Sequence, residues 1–101
     1  MLKELLVIAS IFREKKLKPL ITFGEVNFVE ADVFNDYTII VEIKDYAILE
    51  ARIGEHYAGT EILKMETHYE HRDWVIDNAI AVAERYEYID EFVEFDEDNP
   101  F

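Results

Sequence analysis

The chain has 101 residues and no cysteine, half of its residues are hydrophobic, and its formal net charge is -13. This length predicts a single domain over residues 1–101, with disorder expected only in the acidic tail at 96–101. The composition excludes disulfides and thiolate zinc sites, and the negative charge argues against direct binding of nucleic acid or anionic membranes.

Residues 2–18 are predicted to form a helix that ends before Pro19. Apolar residues recur at spacings of three and four from Leu2 to Phe12. Because the N-terminus lacks a basic leader and a small-residue cleavage site, we interpret this segment as a core helix and expect a cytoplasmic protein. No apolar run approaches the roughly 20 residues that span a bilayer.

Basic residues are concentrated at the end of this first helix. Four of the ten in the chain lie there: Arg13, Lys15, Lys16 and Lys18. Cations are favourable at the negative end of a helix dipole, which accounts for the position without any function. The alternative is a basic patch that docks the acidic C-terminal helix or a partner.

Between Leu20 and Met65 the hydrophobic period changes to two, which is typical of strands. Residues 29–33 and 37–43 alternate on either side of Asn35-Asp36, and this pattern predicts a hairpin. Residues 47–53 predict a third strand, although good helix propensity leaves a helix open for 46–53. Leu63 and Met65 suggest a short fourth strand. The region from Leu20 to Glu25 is ambiguous, since Phe23-Gly24 either begins the first strand or marks a bulge.

The last third of the chain predicts one long amphipathic helix, from about His68 to about Phe95. Thr67 and Glu70 fit a capping box at its start. Acidic residues follow at helical spacing, interrupted once by Ile80: Glu70, Asp73, Asp77, Glu84, Glu87, Glu91, Glu94 and Asp98. A second, apolar stripe consists of Val75, Ala79, Val82, Tyr86, Ile89 and Val93. The predicted fold is therefore α+β: an N-terminal helix, an antiparallel three- or four-stranded meander, and a long C-terminal amphipathic acidic helix.

The acidic stripe is the strongest functional signal in the sequence. Only Arg72 and Arg85 provide basic partners within the helix, and carboxylates crowd its C-terminal end, where the helix dipole disfavours them. Folding does not require this arrangement, whereas docking on a basic protein surface would use it. The predicted partner-binding residues are Asp77, Glu84, Glu87, Asp90, Glu91, Glu94 and Asp98.

Other candidate sites are weak. His68 and His71 lie near acidic residues at the helix start, but no third ligand follows at a known metal-binding spacing, so they are interpreted as surface residues. Ser10 is the only serine and has no base nearby in sequence. We therefore predict no catalytic site, no metal and no cofactor.

In its general character, small, acidic and α+β, the chain resembles the phage-encoded nucleic-acid mimics that block CRISPR or restriction enzymes, and equally the acidic immunity proteins that neutralise nuclease toxins. The resemblance covers composition and charge layout. It implies a non-enzymatic inhibitor whose partner is a basic nucleic-acid-binding protein, such as a nuclease or a CRISPR or restriction effector.

The alternative function is a structural or assembly domain in which acidity serves only solubility. A homodimer would then form through the N-terminal helix and the sheet face that carries Ile40 and Ile48. The apolar run Leu5–Phe12 is the feature that favours this alternative, because apolar surface beyond the need of one small core indicates oligomerisation.

Overall fold

A computed structural model describes residues 1–34, 36–45, 47–56 and 59–98, and in the last helix it describes side chains as far as Glu87. Its elements, in chain order, are α1 (Leu2–Glu14), β1 (Leu20–Thr22), β2 (Phe28–Val33), β3 (Tyr37–Lys44), β4 (Ile48–Glu55), β5 (Glu61–His68), a single 3₁₀ turn (Tyr69–His71) and α2 (Arg72–Asp98). The α+β prediction is confirmed. The end of the acidic tail, 99–101, lies outside the described residues, so the expectation of disorder there stays a prediction.

The strands form one antiparallel sheet in the order β1-β2-β3-β4-β5, so each strand pairs with the next strand along the chain. The predicted hairpin is confirmed, with Val33 opposite Tyr37 next to its turn. The sequence left strand or helix for 46–53. Its described residues 48–53 lie in strand β4, in which Leu49, Ala51 and Ile53 are buried. Alternate apolar residues matched to a neighbouring strand outweigh the helix propensity of this segment.

The sheet has five strands, so the predicted count of three or four is wrong. The additional strand is β1, which the sequence left open as a strand or a bulge. Its three residues pair with β2, with Ile21 opposite Val29, and Ile21 packs against the core. Pro19 directly precedes this short edge strand, a position where the missing N–H costs no ladder hydrogen bond.

Helix α1 ends at Glu14, earlier than the predicted end at residue 18. Lys16 adopts a left-handed conformation with φ 66°. The Lys16 N–H donates to the Arg13 carbonyl at 2.9 Å, and the Leu17 N–H donates to the Phe12 carbonyl at 3.0 Å. These two bonds form a Schellman motif, which ends the helix several residues before Pro19.

Both helices pack on the same face of the sheet. From α1, Leu5, Ile8 and Phe12 are fully buried against the inward side chains of the strands. From α2, the buried residues are Val75, Ile76, Ala79 and Ala83. The opposite face, which carries Glu42, Glu50 and Arg52, is called here the open face. No helix in the described part of the chain is long and apolar enough to cross a membrane.

The start of α2 differs from the predicted capping box. Thr67 belongs to β5, where it lies opposite Leu49. The following residue, His68, caps the 3₁₀ turn, because its Nδ1 accepts a hydrogen bond from the Glu70 N–H at 3.2 Å. Strand pairing therefore extends to the residue before the turn, and a histidine takes the capping role predicted for the threonine.

Helix α2 is longer than the sheet can cover. Its 27 residues extend for roughly 40 Å at 1.5 Å per residue. Val75 and Ala79 of the predicted apolar stripe are buried and Val82 is partly buried, but Tyr86 is 36% exposed. The remaining stripe residues, Ile89 and Val93, lie outside the described side chains. Beyond Ala83, the described part of α2 has left the core.

Candidate protein-binding surface

The exposed side of α2 carries Asp73, Asp77 and Glu84, and is called here the acidic face. Asp77 and Glu84, two of the predicted partner-binding residues, therefore lie together on one exposed helix face. Glu84 makes no ion pair with any described side chain. The predicted residues Asp90, Glu91, Glu94 and Asp98 lie in the part of α2 whose side chains are not described.

Asp77 is exposed but already has a partner within the chain. Lys15, just beyond the end of α1, places its Nζ against the Asp77 carboxylate. The hydrogen bond to Asp77 raises the pKa of Lys15, although loss of solvent acts against it. The basic end of α1 therefore docks on the acidic helix, as one of the sequence alternatives proposed. The charge of Asp77 is therefore partly neutralised within the chain.

Glu87 is partly buried, in contrast to Glu84. Ile80, seven residues earlier on the same side of the helix, packs against the core. A residue repeat of seven drifts by about 20° per heptad on a straight helix, so the acidic stripe winds around α2 instead of following one line. With increasing residue number the stripe therefore turns towards the side of the helix that carries Ile76 and Ala83.

A second charged cluster, which sequence reasoning did not find, occupies the open face. Glu50 on β4 lies between Glu42 on β3 and Glu66 on β5 in direct cross-strand register. Like charges directly opposite one another destabilise a sheet unless cations lie between them. The cations are Lys44, Arg52 and Lys64, which lie two residues along the strands from this row.

Glu50 is the centre of this cluster, with 2% of its surface exposed. Lys44 Nζ lies 2.7 Å from Glu50 Oε2, Arg52 Nη1 lies 3.6 Å from Glu50 Oε1, and Lys64 Nζ lies 3.8 Å from Glu50 Oε2. The hydrogen bond from Lys44 holds the pKa of Glu50 below its usual range, against the opposing effect of burial. Glu50 lies on the open face because it alternates with the buried residues Leu49 and Ala51, yet among its cationic neighbours it is almost fully buried. The sequence signal for this cluster is that each strand carries an acidic and a basic residue two positions apart. These pairs are Glu42 and Lys44 on β3, Glu50 and Arg52 on β4, and Lys64 and Glu66 on β5.

One hydroxyl, one imidazole and one carboxylate also meet at the edge of the open face. Thr38 Oγ1 lies 3.0 Å from Asp32 Oδ1 and 3.2 Å from His56 Nδ1, and His56 Nδ1 lies 3.4 Å from Asp32 Oδ1. These side chains line a hollow of about 290 Å³. In a nucleophilic triad the hydroxyl and the carboxylate contact opposite ring nitrogens, whereas here both approach Nδ1. The arrangement therefore lacks the geometry that would activate Thr38 as a nucleophile.

His68 and His71, near the start of α2, both contact Glu70. His68 caps the 3₁₀ turn, and His71 Nε2 lies 3.5 Å from the Glu70 carboxylate. Within residues 1–34, 36–45, 47–56 and 59–98, as far as side chains are described, no group of three or more histidine or acidic side chains is placed to hold a metal ion. Next to these histidines, the Arg72 guanidinium stacks over the Tyr69 ring at 4.7 Å, a local contact between the 3₁₀ turn and the first residue of α2.

Comparison of the chain with protein-family models, with curated proteins and with solved structures finds no match. Function must therefore be inferred from the surface itself.

Proposed function

We propose that the protein is a non-enzymatic inhibitor that docks the acidic side of α2 on the basic nucleic-acid-binding surface of another protein. The observation that carries the proposal is the charge of α2 after Ala83, the last buried residue among its described side chains. Residues 84–98 contain eight acidic residues and one basic residue, Arg85. The acidic residues are Glu84, Glu87, Asp90, Glu91, Glu94, Asp96, Glu97 and Asp98.

Among the described side chains after Ala83, none is fully buried. Glu84 and Arg85 are exposed, and Tyr86 lies at 36% exposure. An isolated helix of this length is marginal in water, and acidic residues at its C-terminal end weaken it further. A cationic partner surface would relieve this repulsion, since unlike charges steer association and set its orientation.

The spacing of the acidic stripe supports a target surface that normally binds nucleic acid. Carboxylates three or four residues apart rise by about 5 Å per step along a helix. Phosphates along one strand of B-DNA rise by about 3.4 Å per step. Lysine and arginine side chains are long enough to adapt to this difference. Glu84, Glu87, Glu91 and Glu94 form the centre of the proposed contact, with Asp77, Asp90 and Asp98 at its margins.

The proposal can be tested by replacing the four central glutamates with lysine. The matched control replaces Glu14, Glu25, Glu55 and Glu61, which are exposed and lie outside α2, and changes the net charge equally. Wild type, variant and control are used to capture proteins from nuclease-treated prokaryotic lysate. Any captured protein is then tested for loss of nucleic-acid binding when the inhibitor is added.

We expect wild type and control to retain a basic nucleic-acid-binding protein, which the α2 variant loses. Retention should also fall as salt rises, because the contact is electrostatic. Equal retention by all three proteins, or a captured protein that still binds nucleic acid normally, would contradict the proposal.

The alternative of an assembly domain formed through the N-terminal helix has less support. Within the apolar run Leu5–Phe12, five residues are buried in the core of the same chain: Leu5, Ile8, Ala9, Ile11 and Phe12. Leu6 remains 49% exposed, with Leu2 beside it at 45%. The run is therefore largely used by the fold and does not itself require a second molecule.

A further inference from the structure

Strand β5 is the last strand of the sheet, and over the described residues no backbone pairs with its outer edge. The Tyr69 N–H donates to the Ala47 carbonyl at 2.6 Å, which shows that the odd-numbered residues near the end of β5 direct their backbone groups towards β4. In an antiparallel sheet these directions alternate, so Lys64, Glu66 and His68 direct theirs outward. An unpaired row of donors and acceptors is a template for another strand.

The charges along this edge are self-complementary. Lys64 and Glu66 lie on the open face, two residues apart and with opposite charge. If a second β5 pairs antiparallel about a two-fold axis at Met65, Lys64 of each copy lies opposite Glu66 of the other. A two-fold axis at Lys64 or at Glu66 would instead place like charges against each other. The Met65 register also pairs the outward backbone groups of Lys64 and Glu66, as hydrogen bonding requires.

Apolar groups on the helix-covered side fit the same register. Met65 would meet Met65 of the second copy, and Leu63 would meet Thr67. Thr67, His71 and Trp74 line a hollow of about 430 Å³ beside this edge, and Trp74 is 57% exposed. The second copy's Leu63 would therefore lie at the mouth of this hollow, next to the large exposed ring of Trp74. Aromatic residues in such positions are typical interface anchors.

From these observations we infer that the outer edge of β5 is a self-association surface that joins two copies of the chain into a ten-stranded antiparallel sheet, with the two-fold axis at Met65. The axis is perpendicular to the sheet, so both copies place their helices on the same side. The dimer brings two acidic helices to one face, and it does not depend on the proposed inhibitor function.

Dimerisation and binding to a basic partner should depend on salt concentration in opposite ways. Each copy carries a net charge of -13, so two copies repel one another at long range. Salt screens this repulsion beyond about 8 Å at physiological ionic strength, whereas the Lys64–Glu66 contacts are closer than that. Dimerisation should therefore strengthen from low to physiological salt, while binding of a basic protein weakens.

The first test measures the mass of the full chain by analytical ultracentrifugation across protein concentration. Wild type should form a dimer. Glu66→Lys should weaken the dimer at least tenfold without harming the fold, because in the monomer Glu66 lies opposite Glu50 and the change removes a like-charge pair. The double variant Lys64→Glu/Glu66→Lys should restore the dimer. Glu25→Lys, with the same change of charge in the β1–β2 loop, should not weaken the dimer.

The second test uses disulfide cross-linking to determine the register in which the two β5 strands pair. The chain contains no cysteine, so a single introduced cysteine can cross-link only to its copy. Residues that face each other in a non-hydrogen-bonded antiparallel pair lie about 4.5 Å apart at Cα, within disulfide range. Met65→Cys should therefore form a covalent dimer on oxidation, and Leu63→Cys, which faces Thr67, should not.

A wild-type monomer at every concentration and salt would overturn the inference. A dimer that is indifferent to Glu66→Lys, or that cross-links at position 63 and not at 65, would overturn it as well, because the interface would then lie elsewhere or in another register.

Discussion

Lys44, the last residue of β3, donates a hydrogen bond from Nζ to Oε2 of Glu50 on β4 at 2.7 Å. The pair crosses the β3–β4 hairpin diagonally, since Lys44 lies directly opposite Ile48. It places a negative charge, nearly removed from solvent, at the centre of the open face. Burying a charge is costly unless it is paired and hydrogen-bonded, so this carboxylate depends on its cationic neighbours.

Glu50→Gln should lower the free energy of unfolding by about 1–3 kcal/mol, because Lys44, Arg52 and Lys64 would then surround a neutral amide. Urea unfolding at neutral pH measures the change. Glu55→Gln is a suitable control, since Glu55 is exposed at the end of the same strand. A loss for Glu50→Gln no larger than the control would show that the cluster contributes nothing to stability.

The same cluster predicts an acid-dependent loss of stability. The Lys44 hydrogen bond lowers the pKa of Glu50 in the folded state, so the unfolded state binds a proton more readily. The contribution of Glu50 is therefore present above its unfolded pKa, which is about 4.3 for glutamate, and is lost as pH falls through the lower folded pKa. Urea unfolding between neutral and strongly acidic pH should show a steeper acid loss for wild type than for Glu50→Gln. Parallel curves would contradict this assignment.

Lys16→Gly should stabilise the protein. Lys16 holds a φ of 66° in the motif that ends α1, and a left-handed conformation costs a residue with a Cβ roughly 1–2 kcal/mol. Part of this gain is offset by the greater freedom of glycine in the unfolded chain, so we expect a net gain of about 0.5–1 kcal/mol. Thermal or urea unfolding measures it. Lys16→Ala removes the same charge without relieving the backbone, and an equal gain for this control would refute the explanation.

The point at which α2 leaves the sheet can be located by alanine substitution. Ile76 is fully buried, and Ile76→Ala should cost about 2–5 kcal/mol through lost packing and a residual cavity. Tyr86 follows Ala83, the last buried residue among the described side chains, and Tyr86→Ala should cost less than about 1 kcal/mol. Urea unfolding of both variants gives the comparison. A comparable loss at Tyr86 would mean that the core extends further along the helix than the described side chains show.

The sequence predicted the elements whose signal is repeated and local. The hairpin around residue 35 and strand β4 follow from strict alternation, and the two helices follow from spacings of three and four. It missed features that depend on partners distant in the chain. β1 has only three residues, and its strand character comes from its pairing with β2. The burial of Glu50 likewise depends on other strands, since its partners Lys44 and Lys64 lie on β3 and β5.

Helix boundaries were also imprecise, for a local reason. Pro19 was a plausible stop signal, but the backbone reversed at Lys16, a residue type without the positive-φ preference of glycine or asparagine. Likewise Thr67 and Glu70 match a capping pattern, but Thr67 is part of β5 and pairs with Leu49 of β4, so it does not cap the helix. For the candidate surface, the sequence predicted the exposure of Asp77 and Glu84, while the Lys15–Asp77 contact required the tertiary arrangement of both helices.

The order of the strands has a consequence for how the chain folds. Because every strand pairs with its neighbour in sequence, the sheet can form hairpin by hairpin, and each step closes only a short loop with a small entropic cost. The two helices come from opposite ends of the chain, so the contacts between them, including Lys15 with Asp77, span long sequence separations and should form late. On this account Ile76→Ala accelerates unfolding while refolding stays near the wild-type rate, since late contacts contribute little to the folding transition state.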